Sequence, residues 1–301
     1  MKQIGIWCLV LLGILIGIPT LVVYTGGHYS GELLQSVRGI GDKDESKEAE
    51  AKRQEDELIG AIAKMASPTE SEEVLKAYAV ILRTYKLRRQ LGIVSQGSLA
   101  IMSKEEMQDK WGKDYTAYYT KLKKVVADTA NEVMYANNEL IEPIYHKESA
   151  GMTRAAVSLY KQDISYLQPV ESKADTVRES FGFTQTEFVQ KLQDAYSHLS
   201  IQAEALTQQI QIVAKDQAGY IESLQIGNLL IDGETLRKIL GLPSACFTVT
   251  QSTNGITFDV KGIGHGIGLS QNGASAMALE GATYKEILSY YYTGIEIKTN
   301  N

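Results

Sequence analysis

Cysteine is nearly missing from this chain: 301 residues hold two, Cys8 and Cys246. Cys8 lies in an apolar N-terminal run, so the folded part has one thiol and no pair for a disulfide framework. A zinc site built from cysteines is excluded by the same count. Positive charge is also short. The formal net charge is −6, whereas a nucleic-acid binder wants clustered Lys and Arg against phosphate; no nucleic-acid partner is expected. Five phenylalanines and two tryptophans stand beside 17 tyrosines, whose amphipathic rings serve either core packing or contact with carbohydrate. No internal repeat is visible. His146 and His265 have no recognisable carboxylate partner, so neither a metal nor a cofactor is expected.

Charge is absent altogether from residues 4–24, IGIWCLVLLGILIGIPTLVVY. At about 1.5 Å per residue this run spans roughly 30 Å, the thickness of a bilayer core. It is longer than the apolar region of a signal peptide, and Val22-Val23-Tyr24 stands where a small-residue cleavage site would be wanted. The reading is an uncleaved single-pass anchor. Lys2 marks residues 1–3 as the cytoplasmic side, which puts everything after the anchor outside the cytoplasm. Residues 25–50, small and mixed in charge, read as a solvated stalk that becomes helical around Glu45–Ile62. Residues 51–301 form the extracytoplasmic domain.

Within that domain the signals for helices and strands mix. Ser67-Pro68-Thr69 breaks one helix, and Thr69 or Ser71 caps the next, with Glu72 and Glu73 in its first turn. Ser103 caps a second helical stretch, and the segment Thr184–Ser200 is a third. Val133, Tyr135, Ile141 and Ile144 suggest strands around an Asn137-Asn138 turn. Residues Phe247–Gly264 alternate about Asn254-Gly255, the strongest hairpin signal in the chain. Asp232-Gly233 opens a helix, and Gly281 separates two short helices near the end. The mixture predicts an α+β fold of helices and mainly antiparallel strands around a cleft.

Polar residues on permissive loops are the candidates for function. GIGHGIGLSQNGA (262–274) sets His265 among five glycines and follows it with Ser270 and Gln271. YHKESAGMT (145–153) carries His146, Ser149 and Thr153. Lys76 and Arg83 lie two turns apart and share a helix edge, either as a site for sugar or anionic oxygens or as snorkelling surface side chains.

Ordered blocks then resemble one family, the SpoIID/LytB type (stage II sporulation protein D-like), over Glu57–Ile297. GIGHGIGLSQNGASAMA resembles its glycine-histidine signature. GATYKEILSYYYTGIEI, ETLRKILGLPSACFTV, IYHKESAGMTR, SYLQPVES and EEVLKAYAVILRTY resemble further blocks in the family's order. The resemblance implies a SpoIID-like fold and a membrane-anchored cell-wall protein. Its founding members are peptidoglycan lytic transglycosylases of sporulation and engulfment; LytB-type members enhance amidases. The implied partners are peptidoglycan glycan strands, a cell-wall amidase and a membrane protein. Lys76, Arg83, Tyr85, His146, Ser149, Thr153, His265, Ser270 and Gln271 become the expected glycan-binding residues, with the glycines of the His265 loop making room for sugar rings.

One residue of the pattern is absent. Solvent-free glycan cleavage needs a carboxyl group that protonates the glycosidic oxygen and then removes a proton from the sugar's own 6-hydroxyl. The family places its Glu in G-V-V-A-x-E-M-P. Here GAIAKMASP aligns with that motif, and Met65 stands in the place of Glu, eleven residues before Lys76. The candidates for a displaced acid are Glu148 and Glu70. The residues therefore lead to a wall-associated protein that binds peptidoglycan or a hydrolase partner, with weak or no lytic activity. The alternatives are an active transglycosylase using Glu148 or Glu70, and a structural member of an engulfment-type membrane assembly.

Overall fold

A computed structural model describes residues 29–93, 99–201, 209–252 and 255–300. The anchor expected over 4–24 lies outside the described residues, and among the described residues no helix is long and apolar enough to cross a membrane. The chain divides into two units, Met1–Asp56 and Glu57–Asn301. Helix α1 (Tyr29–Met65) runs through the stalk sequence and begins well before the Glu45 start expected for it. Its exposed stretch carries close-spaced charge pairs, such as Arg53 on Glu50 at 2.7 Å, which suit a solvated helix.

The second unit is built around helix α2 (Glu72–Gln90). Ser71 caps it by accepting the Val74 N–H, Glu72 and Glu73 fill its first turn, and Arg88 and Arg89 its last, as the helix dipole favours. Val74, Leu75, Tyr78, Val80, Ile81 and Leu82 are all buried. A helix apolar on two faces must be covered on both. On one side lie the end of α1 (Leu58, Ile59, Ile62) and helices α3 (Lys104–Trp111) and α4 (Tyr115–Asp128), which supply Met107, Trp111, Leu122 and Val125. A capping box between Ser103 and Glu106 starts α3. Gly60 lets the backbone of Met102 approach α1 closely enough for its N–H to reach the Gly60 carbonyl at 3.0 Å; a side chain there would meet Met102.

The other face of α2 packs on a sheet of order β11-β1-β2, built from β1 (Glu132–Ala136), β2 (Glu139–Leu140) and β11 (Glu296–Thr299). Asn137 and Asn138 turn between β1 and β2 with φ of 51° and 62°, the left-handed pair that a tight hairpin requires and asparagine tolerates. The strands expected to reach Ile144 stop at Leu140. Pro143 has no N–H to donate, and Ile141 and Ile144 are buried as loop residues instead.

A second core gathers Phe188, Leu192, Leu224, Leu236, Phe247, Phe258 and Val260. It joins the sheet β4-β9-β8 (β4 Arg178–Phe183, β8 Cys246–Ser252, β9 Gly255–Lys261) to the sheet β5-β6-β7 (β5 Ile210–Lys215, β6 Ile221–Ile226, β7 Leu229–Ile231). The expected hairpin is present, with Ser252 paired to Gly255. A short helix α5 (Ala156–Tyr160) precedes this region, while α6 (Gln185–Ala195), capped by Thr184, and α7 (Gly233–Leu240), capped by Asp232, flank it. Two further helices, α8 (Gln271–Leu279) and α9 (Tyr284–Tyr291), return to the first core. The α+β fold with antiparallel sheets is as expected. Among the described residues one sheet is parallel, and it sits where the histidines are: β3 (Tyr145–His146) beside β10 (Leu269–Ser270).

Candidate functional site

The β3–β10 pair aligns Tyr145 with Leu269 and His146 with Ser270. Two further bridges, Glu148 to Ile263 and Arg154 to Ile267, zip the two loops along their length. The glycines make this possible. Gly262, Gly264, Gly266 and Gly268 all have positive φ (75°, 106°, 78° and 72°), a conformation that costs other residues roughly 1–2 kcal/mol each. A Cβ on Gly266 would strike the Tyr220 ring and Arg154, and one on Gly268 the Ile144 carbonyl. The room expected for sugar rings at these two glycines is thus filled by the protein itself.

His146 and His265 face each other with ring centroids 5.7 Å apart. His146 is buried. Its Nδ1 lies 3.1 Å from the Ile267 carbonyl, which can only accept, so Nδ1 carries the proton and Nε2 the lone pair. That Nε2 is buried without a hydrogen-bond partner. His265 is half-buried, and its Nδ1 accepts the Ile267 N–H at 3.1 Å, which puts its proton on Nε2. Burial, with a smaller push from His265, lowers the His146 pKa to about 3. Burial lowers that of His265 to about 4. Both rings are neutral at neutral pH.

Three of the expected binding hydroxyls are held inside. Ser149 donates Oγ to Asp175 Oδ2 at 2.6 Å, and its N–H reaches the same oxygen at 2.8 Å. Thr153 Oγ1 accepts the Val170 N–H at 2.9 Å. Ser270 caps α8 by accepting the Gly273 N–H at 3.2 Å. All three are buried. Asp175, which sequence reasoning missed, also accepts from Asn272 Nδ2 at 3.1 Å and so ties the His146 loop to the start of α8.

Lys76 and Arg83 do share an edge of α2, but that edge is covered by protein. Lys76 pairs with Glu73 at 3.0 Å and Asp128 at 3.5 Å. Arg83 donates to the carbonyls of Glu132 and Val126, both at 3.2 Å, clamping the end of α4 to β1. Burial lowers its pKa to about 10, which leaves it charged.

Position 65 opens on a cavity of about 400 Å³. Met65 and Glu70 line it with Tyr78, Trp111, Tyr118 and Gln271. Gln271 donates its amide to the Met65 carbonyl at 3.4 Å, and Ser275, a turn further along α8, donates to Glu70 at 3.0 Å. Trp111 and Tyr118 meet edge to face at 5.7 Å. The indole N–H of Trp111 is buried with no hydrogen-bond partner, an arrangement worth about 1–3 kcal/mol to relieve. Sequence reasoning missed these aromatics, although the run WGKDYTAYY in a phenylalanine-poor chain was a signal.

The structure separates the remaining candidates. His265 and Tyr85 line a second cavity of about 370 Å³ with Tyr145, Tyr160 and Glu142. Glu148 is buried, and its Oε1 accepts the Val177 N–H at 2.7 Å; it lines neither cavity.

Arg154 joins the two cores. It is fully buried, with Nε 2.6 Å from Asp216, one amino group 2.9 Å from Glu234 and 3.3 Å from the His265 carbonyl, and its Cζ 4.6 Å from the centroid of the Tyr220 ring. A buried ion pair of this kind fixes geometry more than it adds stability. Here it holds the histidine loop to the turn before β6 and to the start of α7.

Known proteins are similar to this chain. The SpoIID family profile, described as "Stage II sporulation protein", matches residues 42–135. Stage II sporulation protein D of Bacillus subtilis (strain 168) is 30% identical, with 99% of this chain aligned to 96% of that one. The protein of the same name from Bacillus amyloliquefaciens is also 30% identical, over 81% of this chain and 73% of its own. The amidase enhancer of B. subtilis is 24% identical over 79% of this chain and 39% of the enhancer. The chain belongs to the stage II sporulation protein D family.

Proposed function

We propose that this protein acts in sporulation-linked remodelling of the cell wall, by holding peptidoglycan glycan strands at the Met65 cavity while cutting them weakly or not at all. Family membership and the names of its relatives support the setting. The observation that carries the reading is the cavity wall itself. A thioether occupies position 65, where the resemblance expects the carboxyl group, while an aromatic and amide surface suited to sugar surrounds it. A thioether cannot transfer a proton, and general acid–base help is worth about 10²–10⁴ in rate. Residues 4–24, uncharged and long enough to span a bilayer, support a single-pass anchor with the larger unit outside the cytoplasm. The amidase-enhancer relative supports a cell-wall amidase as partner.

The test uses the full chain in detergent and glycan strands stripped of peptide. Strand binding without anhydro-sugar ends is expected. Anhydro-ended products at rates typical of a Glu-bearing transglycosylase would refute the reading, and so would failure to retain the strands.

A second reading has one observation behind it. Glu70 lines the same cavity as Met65 and presents a half-buried carboxyl group there. As a displaced acid it would give slow scission that Glu70→Gln abolishes. Glu148 has no comparable support, because its carboxylate is bound to the Val177 N–H away from the cavity.

A further inference from the structure

The second cavity, of about 370 Å³, has a wall of three tyrosines, Tyr85, Tyr145 and Tyr160. They arrive from three elements: α2, β3 and the end of α5. Glu142, from the loop between β2 and β3, completes the wall. Beneath these lie the buried aliphatic side chains Ile81, Leu82 and Ile144. Charge on the wall has one sign. Among the described residues that line the cavity there is no lysine or arginine. His265, its pKa lowered to about 4 by burial, is neutral. Burial raises the phenol pKa of Tyr145 and of Tyr160, with smaller contributions from Tyr85 and Glu142 respectively, so these rings stay neutral as well. Arg88 stands 3.9 Å from Glu142, at the outer limit of an ion pair, and gives its other amino group to the Leu140 carbonyl at 2.6 Å. A carboxylate has two oxygens and about four acceptor positions, so that contact leaves capacity for a second cation.

An aliphatic floor, neutral aromatic rings and a carboxylate make a specific combination. The negative faces of the rings attract a cation, the floor takes the methylene groups that lead to it, and the carboxylate receives its N–H groups. We infer that the Tyr85–Tyr145–Tyr160 cavity binds an alkylammonium group, an aliphatic chain that ends in a protonated amine. The Met65 cavity differs in kind, with three lysines and one carboxylate on its wall. The two are neighbours: Tyr78 lines one while Ile81 and Leu82, one turn further along α2, line the other, and Lys147 and Tyr145 do the same two residues apart. An amine on a peptide branch of a wall polymer and a free diamine share this chemistry. The inference stands on the second cavity alone and does not depend on the glycan-holding reading.

The experiment measures binding to the full chain in detergent by calorimetry at low salt. The probes are a muramyl tripeptide whose third residue carries a side-chain amine, the same tripeptide with that amine acetylated, and cadaverine. The amine tripeptide should bind at least tenfold more tightly than its acetylated form. Cadaverine bound as tightly as the amine tripeptide, or more tightly, assigns a free diamine as the ligand; weaker cadaverine binding assigns the wall peptide. Glu142→Gln should abolish the preference for the amine, and Tyr160→Leu, which keeps an apolar side chain but removes a ring, should reduce it severalfold. Glu70→Gln, the same charge change in the other cavity, should leave it intact. Peptide-free glycan strands should bind to Glu142→Gln as to the unaltered chain, which separates this site from the glycan-holding one. Equal binding of the two tripeptides without cadaverine binding, or no binding of any probe, overturns the inference. A preference that survives in both Glu142→Gln and Tyr160→Leu overturns the assignment to this cavity.

Discussion

Gln271 donates its side-chain amide to the backbone carbonyl of Met65 at 3.4 Å, across 206 residues of chain. Through this contact the helix that follows the histidine loop reaches the position where the resemblance expects an acid. Two stretches that carry the family resemblance thus meet at one cavity, which makes position 65 the natural place to test the proposed absence of an acid.

On the proposed function, a carboxyl group placed at position 65 should raise lytic activity. Met65→Glu has a side chain of similar length, half-buried on the cavity wall. Release of anhydro-ended glycan should rise by about 10²–10⁴-fold over the unaltered chain, the range that general acid–base help provides. Mass spectrometry of the strand ends reads the outcome. No rise, in a variant that still binds strands, would mean that more than the acid is missing.

Arg154 should be among the costliest single positions. Arg154→Met leaves Asp216 buried without its cation and Glu234 with Arg237 alone. Breaking such a group by removing one member costs about 3–5 kcal/mol. Urea unfolding should show a midpoint lowered accordingly. A loss below about 1 kcal/mol would show that the carboxylates find solvent or another partner.

The glycine loop separates two kinds of glycine. Gly266→Ala combines a left-handed backbone with a collision against Tyr220 and Arg154, for a loss of about 2–5 kcal/mol. Gly241→Ala, at the end of α7, has a similar φ of 73° but nothing within reach of the new methyl group, and should lose about 1–2 kcal/mol. Thermal unfolding of the two variants side by side gives the contrast.

Acid should weaken the fold through the histidine pair. The pKa of His146 is lowered to about 3 and that of His265 to about 4, mainly by burial, below the value of about 6.5 for an unfolded histidine. As pH falls below about 6.5 the unfolded chain takes up protons that the folded chain refuses, so stability is complete above that pH and declines toward pH 4. The limiting slope is about 1.4 kcal/mol per pH unit for each histidine. Urea unfolding of His146→Gln should show a shallower decline between pH 6.5 and 4.5 than the unaltered chain. Parallel declines would exclude this histidine as a source.

Much of the architecture was legible before the fold was seen. Ser71, Ser103, Thr184 and Asp232 each cap the helix they announce, because a cap is a bond between residues two or three apart. The Asn137-Asn138 turn forms for the same kind of reason, a local φ requirement. Strand β4 was not foreseen. Its residues alternate weakly, and its place is set by pairing with β9, some 80 positions away (Ser180 opposite Asp259).

What the sequence alone determined was the helix caps and tight turns, the family and the methionine at position 65, all of which depend on residue identity and short-range spacing. Tertiary structure decided which polar side chains can meet a ligand. Ser149, Thr153 and Ser270 are closed into bonds with Asp175, Val170 and the start of α8, while Trp111, Lys110 and Lys147 come to one wall with Met65 from distant parts of the chain. The physical reason is that a hydroxyl or ammonium group bonds to whatever packing brings within about 3 Å, and that neighbourhood does not exist until the cores on the two faces of α2 have formed.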